Sequence, residues 1–164
     1  MSSSRTQVLS KIQAGQKINR IAYQIYEDNP GEKEIILAGI APNGFSLAKK
    51  ISACLKKIAP LKTEVIEVTL EKDKPLSREI ALSVPASRCT GKAVILVDDV
   101  LNSGRTLVYG LRPFLDAEAK KIRVAVLVDR SHKRFPIMPD FVGISLATTM
   151  QEHITVAEDG VYLS

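Results

Sequence analysis

The chain of 164 residues has only two cysteines and two histidines, and no apolar run approaches bilayer-spanning length. Cys54 and Cys89 fall in neither a metal-binding nor a redox spacing, which excludes a zinc or thiol-redox motif and points to a reducing, cytoplasmic setting. A transmembrane helix needs about 20 consecutive apolar residues, so no membrane span is expected. The segment Met1-Ser2-Ser3-Ser4-Arg5-Thr6 lacks the apolar core of a signal peptide. No internal repeat, low-complexity tract or second domain is visible, and one domain over residues 1–164 is expected. No Gly-Lys-Ser/Thr loop follows the first strand, which excludes a Walker-type NTPase.

The composition is that of an ordinary globular protein, 45% hydrophobic and 25% charged, with a net charge of +5. Such a balance favours anionic ligands, whether phosphates, phosphorylated sugars or RNA.

Hydrophobic periodicity lays out alternating elements. Thr6 to Asn29 reads as one or two helices, with Ile18, Ile21, Ala22, Ile25 and Tyr26 at helical spacing and Pro30-Gly31 as the stop. Glu34 to Ile40 reads as a buried strand, followed by a turn at Ala41 to Gly44 and a helix from about Phe45 to Lys57. Thr63 to Leu70 alternates and is β-branched, as a strand is. Glu71 to Gly91 is polar, contains Pro75 and Pro85, and is long enough to serve as a lid. Lys92 to Asp98 and Ile122 to Val128 are further buried strands, with a helix from about Gly104 to Asp116 between them. Asp140 to Ile144 is a short fourth strand, reached through the Arg130-to-Pro139 loop. The fold class expected is α/β: a parallel twisted sheet flanked by helices. Ligands bind such sheets at the carboxyl ends of the strands, where Ala41-Pro42, Asp98-Asp99 and Asp129-Arg130 converge.

The central stretch is Val97-Asp98-Asp99-Val100-Leu101-Asn102-Ser103-Gly104-Arg105-Thr106. An apolar strand ends in two carboxylates and passes straight into a hydroxyl-rich turn opening a helix. The carboxylates suit ribose hydroxyls or a Mg²⁺-bound sugar, while amides from Ser103 through Thr106 can form an anion nest. Gly104 permits close approach, Ser103 and Thr106 add hydroxyls, and Arg105 adds charge. The bland alternative is a helix capped by Asn102 or Ser103, with two solvated acids ahead of it. A phosphoacceptor receiver domain also carries paired aspartates, but here the pair runs directly into Ser-Gly-Arg-Thr, which excludes it.

This stretch resembles the 5-phosphoribosyl pyrophosphate (PRPP) signature of type I phosphoribosyltransferases, and most of the chain is similar to the PyrR group within them. Leu37-Ala38-Gly39-Ile40 with Gly44 and Leu47-Ala48 resembles the pyrophosphate-loop segment. Ala125 to Lys133, Phe135-Pro136-Ile137 and Asp140-Phe141-Val142-Gly143 resemble the later segments. The resemblance implies the type I phosphoribosyltransferase (Rossmann-like) fold with a flexible lid and a small C-terminal hood. It implies transfer of the 5-phosphoribosyl group from PRPP to a nucleobase, uracil above all, with release of pyrophosphate. The transition state has oxocarbenium character, so positioning and charge stabilisation are the protein's tasks.

By that resemblance Asp98 and Asp99 hold the ribose hydroxyls, with Mg²⁺ held through PRPP itself. Asn102, Ser103, Gly104, Arg105 and Thr106 cradle the 5′-phosphate. Main-chain groups of Ala41, Pro42, Asn43 and Gly44 meet the pyrophosphate. Phe141 stacks on the base, and the main chain at Val142 reads its edge. Lys72, Lys74 and Arg78 are candidate lid contacts, with solvated lid charges as the alternative. The group also pairs catalysis with binding of pyrimidine-operon RNA, for which Arg20, Arg130, His132, Lys133 and Arg134 are candidates against a solvated basic loop. A homodimer or homotetramer is implied.

Three departures stand out. Asn43 precedes Gly44 where PyrR-like sequences have a cation, so pyrophosphate binding is expected to be weaker. The lid is shorter, and Glu71-Lys72-Asp73-Lys74 matches the group's pattern only in part. Asn102 lacks the acidic side chain common in purine-type members, which argues against a hypoxanthine/guanine enzyme. The pyrophosphate loop of the family also commonly contains a cis peptide. Ala41-Pro42 is the bond where the cis form is least unfavourable, by about 2 kcal/mol or more, and it is weighed against an ordinary trans-proline turn.

Overall fold

The structure is a computed structural model describing residues 4–71, 73–74 and 79–164. Strand β1 (Thr6–Ser10) leads into helix α1 (Lys11–Asp28). The expected helical start at Thr6 is therefore corrected, because a capping box fixes the helix at Lys11. The Ser10 hydroxyl accepts from the Gln13 amide, and the Ser10 amide donates to the Gln13 side chain at 2.9 Å. Ahead of that cap the chain pairs antiparallel with the C-terminus, Thr6 opposite Leu163.

The expected alternation follows: β2 (Glu34–Ile40), α2 (Asn43–Ile58), β3 (Lys62–Thr69), β4 (Ala81–Leu82), β5 (Ala93–Leu101), α3 (Arg105–Gly110), α4 (Arg112–Asp116), β6 (Lys121–Asp129) and β7 (Phe141–Ser145). The main sheet has the order β4-β3-β2-β5-β6-β7, with only β4 antiparallel to its neighbour. Its strands are continuous apolar runs because both faces are covered. Ile35, Leu37 and Ile95 pack toward α1 and α2, while Ile36, Leu96 and Phe114 pack on the other side. The last strands, β8 (Ile154–Ala157) and β9 (Gly160–Leu163), form a hairpin that joins β1 in a separate three-stranded sheet. That small sheet is the expected hood, with a first strand from the N-terminal segment.

Two further boundaries differ from expectation. The helix from Gly104 to Asp116 is two short helices, because Pro113 has no amide to continue the ladder. Strand β5 runs through the acidic pair to Leu101, held by pairing of Val100 with Val128 and Leu101 with Asp129. The long polar connection is partly anchored: Leu82 pairs with Val68, and Cys89 is buried in a short 3-10 turn over Ala86–Cys89. Burial pushes the Cys89 thiol above its ordinary value. Lys72 and Arg78 lie outside the described residues, and Lys74 is exposed.

Candidate functional site

Strand β5 places both carboxylates at the carboxyl end of the sheet, between β2 and β6. Alternation along the strand sends the two side chains to opposite faces. Asp98 is 3% exposed, and its Oδ1 accepts the Asp99 amide at 2.9 Å. Asp99 is half-buried; Oδ1 accepts the Val100 amide at 2.8 Å and Oδ2 accepts Nδ2 of Asn43 at 3.0 Å. The acidic pair and the loop from Ala41 to Gly44 thus touch directly. Gly44 makes the approach sterically feasible. A Cβ there would stand 2.4 Å from the Val97 carbonyl oxygen and 3.2 Å from Oδ1 of Asp98. The Ala41-Pro42 bond is cis, the outcome weighed against a trans turn. No side chain caps the N-terminus of α2, which begins at Asn43.

Beyond Leu101 the chain reverses through Asn102, Ser103 and Gly104. Gly104 has φ +88°, the left-handed region, and a Cβ there would lie 2.5 Å from Cγ2 of Ile137. The loop after β6 braces this turn from outside: the Ser103 carbonyl accepts the amides of Arg134 at 2.8 Å and Phe135 at 3.2 Å. The Ser103 hydroxyl accepts the Arg105 amide at 3.3 Å. Ser103, Arg105 and Thr106 are half-buried and Asn102 is exposed, so the turn stays accessible from solvent.

Several expected residues stand elsewhere. Arg130, an RNA candidate by sequence, is 8% exposed with its donors spent inside the protein. Nε donates to the Thr148 hydroxyl, Nη1 to Oδ1 of Asn102, and Nη2 to the carbonyls of Thr149 and Glu152. A charge at the carboxyl end of β6 meets three acceptors of the following segment, so it braces instead of facing a partner. The 149–152 turn it holds is closed by the Thr149 amide donating to Glu152, which keeps that carboxyl below its ordinary value. His132 contacts the Thr148 carbonyl at 2.6 Å, and Lys133 lies 3.7 Å from Asp129. Arg20 donates to the carbonyls of Val142 and Gly143, tying α1 to β7. The Arg134 side chain has no ion-pair or hydrogen-bond partner among the described residues.

Phe141 and Val142 also differ from expectation. Phe141 is 6% exposed within the apolar core that contains Ile18 and Leu127, so almost none of its ring is accessible for stacking. Strand alternation is the cause: it turns Phe141 inward beneath α1 and leaves Val142 on the other face. The Val142 carbonyl, expected to read a base, accepts from Arg20 at 3.3 Å.

Sequence reasoning missed the Asn43–Asp99 and Arg130–Asn102 contacts, whose partners are far apart in the chain. It also missed Lys11 and Lys50, which line a cavity together with Asn43 and Asp99. Their signal was available as an i, i+3, i+4, i+7 spacing on each helix.

A family model described as phosphoribosyl transferase domain matches residues 4–159. The chain belongs to the phosphoribosyltransferase family. Among curated relatives, the bifunctional protein PyrR of Enterococcus faecalis is 35% identical over 159 residues, covering 93% of this chain and 89% of that protein. Bifunctional protein PyrR of Halalkalibacterium halodurans is 39% identical over 145 residues, covering 82% and 80%. Among solved structures, a hypoxanthine-guanine phosphoribosyltransferase from Bacillus anthracis superposes with TM-score 0.74 at 23% identity, covering 91% of this chain and 84% of that one. This last likeness bears on the fold. As a phosphoribosyltransferase, the chain is a PRPP-dependent enzyme that transfers a phosphoribosyl group to a nucleobase.

The described residues assemble no group of three or more His, Cys, Asp or Glu that could hold a metal ion. The acidic pair offers hard oxygen donors, which fit a Mg²⁺ that arrives on the phosphates of a phosphoribosyltransferase substrate.

Proposed function

We propose that this phosphoribosyltransferase holds PRPP across the end of β5 and transfers its ribosyl group to uracil. The observation that carries the reading is one continuous segment: two carboxylates on a strand, followed within a few residues by the left-handed Gly104 turn. Asp98 and Asp99 accept from the ribose hydroxyls, and Ser103 to Thr106 hold the 5′-phosphate with amides, hydroxyls and the Arg105 charge. The loop from Ala41 to Gly44 faces the departing pyrophosphate, aided by the positive end of α2. Positive charge develops at C1 as the bond to pyrophosphate breaks, and fixed carboxylates near the ring favour that state over the ground state. Mg²⁺, when bound, neutralises diphosphate oxygens; Asp98 and Asp99 are the residues that would meet it. Uracil is favoured by the PyrR relatives and by Asn102, which carries no acidic group for a purine nitrogen.

The test is to incubate the protein with PRPP, Mg²⁺ and each nucleobase separately, and to detect the nucleoside monophosphate by mass. Uridine monophosphate is the expected product. Formation only of a purine nucleotide would overturn the acceptor assignment.

A second reading, regulation through RNA, draws support from the name bifunctional carried by the relatives and from the net charge of +5. Its surface would have to centre on Arg134, because Arg20, Arg130, His132 and Lys133 have internal partners. Pyrimidine-leader RNA bound with an affinity that falls steeply with salt would support it, and no binding at low salt would end it. A cytoplasmic homodimer or homotetramer completes the proposed picture.

A further inference from the structure

The net charge of +5 is not spread over the molecule. From Ile35 to Thr63 the chain carries five lysines, Lys49, Lys50, Lys56, Lys57 and Lys62, and neither aspartate nor glutamate. Basic and acidic residues therefore cancel in the rest of the chain. Four of the five lysines stand on α2. At 3.6 residues per turn they share one arc of the helix, opposite the buried Leu47, Ala48, Ile51 and Leu55. All five are exposed.

Three observations say what this face meets. First, its charge is unopposed. None of the five forms an ion pair among the described residues, whereas Lys92, Lys120 and Lys121 each do. The acids flanking the segment are held by cations of other elements: Glu32 by Lys120, Glu34 by Lys92 and Glu64 by Arg88. Nζ of Lys49 lies 4.3 Å from the centre of the Phe45 ring, a contact that leaves its charge in place. Second, the helix alone does not call for this pattern. Cations in a last turn favour the helix dipole, which accounts for Lys56 and Lys57, but Lys49 is mid-helix and Lys62 opens β3. The Lys62 amide donates to the carbonyl of Lys33, another exposed lysine, which borders the same end of the sheet. Third, the face lacks apolar anchors. The exposed large apolar side chains are Ile12, Tyr23, Tyr26, Leu115, Met138 and Met150, none of them on α2. A helix that beds in a membrane surface presents large apolar residues beside its lysines. Protein interfaces are depleted in lysine and enriched in aromatic residues. A phosphate backbone, by contrast, needs charge and no apolar contact. Lys49 and Lys56, like Lys50 and Lys57, stand seven residues apart, which is about 10.5 Å along the axis, so the charge repeats along the helix.

We propose that the outer face of α2, continued by Lys62, docks the phosphate backbone of a nucleic acid without reading its bases. The surface lies on the side of the sheet that α1 and α2 cover, whereas the Arg134 loop packs through Ile137 on the other side. It is therefore separate from the RNA surface considered above, and it does not depend on the PRPP reading. Lys50 also borders the cavity that Asp99 lines, so the variants below leave it intact.

The test is an anisotropy titration with a labelled DNA duplex of arbitrary sequence and its RNA counterpart, at several salt concentrations. Both are expected to bind, because lysine meets the phosphates common to both. Each of Lys49→Gln, Lys56→Gln, Lys57→Gln and Lys62→Gln lowers the slope of log affinity on log salt by about 0.9 for the DNA duplex. The four together weaken binding at low salt by more than about tenfold and leave pyrophosphate release from PRPP unchanged. Arg134→Gln leaves duplex binding unchanged. A lowered melting temperature with wild-type affinity and salt slope shows lysines that serve only the helix, and overturns the proposal. So does any of four other results: no binding by the wild type at low salt, affinity that depends on base sequence, loss of binding in Arg134→Gln, or tighter binding to phosphatidylserine vesicles or polyglutamate than to either duplex.

Discussion

Nη1 of Arg130 donates to Oδ1 of Asn102 at 2.9 Å, joining the end of β6 to the turn that follows β5. The same guanidinium reaches Thr148, Thr149 and Glu152. One buried cation therefore ties the turn after β5 to the chain leading into the hood, and the two are expected to loosen together. Arg130→Ala strands several acceptors and lowers the unfolding free energy by about 2–4 kcal/mol. Arg130→Lys keeps the charge but loses the planar fork, and is expected to recover only part of the stability and of the PRPP affinity. Urea denaturation and PRPP titration of both variants check this.

Gly104 is required by backbone and by space at once. Gly104→Ala combines a left-handed residue with a Cβ 2.5 Å from Ile137, and is expected to destabilise by about 1–3 kcal/mol and weaken PRPP binding. Gly91 is the control, with φ +71° but nothing within 4 Å. Gly91→Ala shows backbone strain in the melting temperature and leaves PRPP affinity as it was.

Chelation separates a substrate-borne metal from a structural one. EDTA is expected to leave the melting temperature of the free protein unchanged, since the described residues hold no metal cluster. It removes the stabilisation that PRPP confers, which amounts to about 2.7 kcal/mol at a ligand concentration 100 times Kd. Differential scanning calorimetry with and without Mg²⁺ reads both effects.

Acid sensitivity should originate partly at Asp28. Burial raises its carboxyl, but hydrogen bonds from Lys121 and Arg123, with their charges, outweigh that and hold it below the ordinary 3.8. A carboxyl depressed in the folded state stabilises fully above its unfolded value and loses that contribution as the pH falls through the folded one. Urea midpoints are therefore expected to fall below about pH 4. Asp28→Asn lowers the midpoint at pH 7 and flattens its acid limb.

Strand β5 and its turn were legible because a run of buried apolar residues breaks abruptly into charge and glycine, a local signal. Pro42 likewise marked the place of the cis bond. Strand β1 was not legible as a strand, because its partner Leu163 lies at the other end of the chain, although the Ser10–Gln13 capping pair is a local sign that the helix begins only at Lys11. Arg130 looked like a surface cation for the same reason: its acceptors come from segments that only the fold brings together. Phe141 was placed by motif, whereas its side chain follows the strand's alternation into the core.

Pyrophosphate release from PRPP, Mg²⁺ and uracil is the most direct test of the acidic pair and Gly104 turn as a working phosphoribosyl site. The expected result is release by the wild type that depends on all three components and falls by at least about 100-fold in Asp98→Asn/Asp99→Asn. No release by the wild type with any nucleobase, or release undiminished in that double variant, would contradict it.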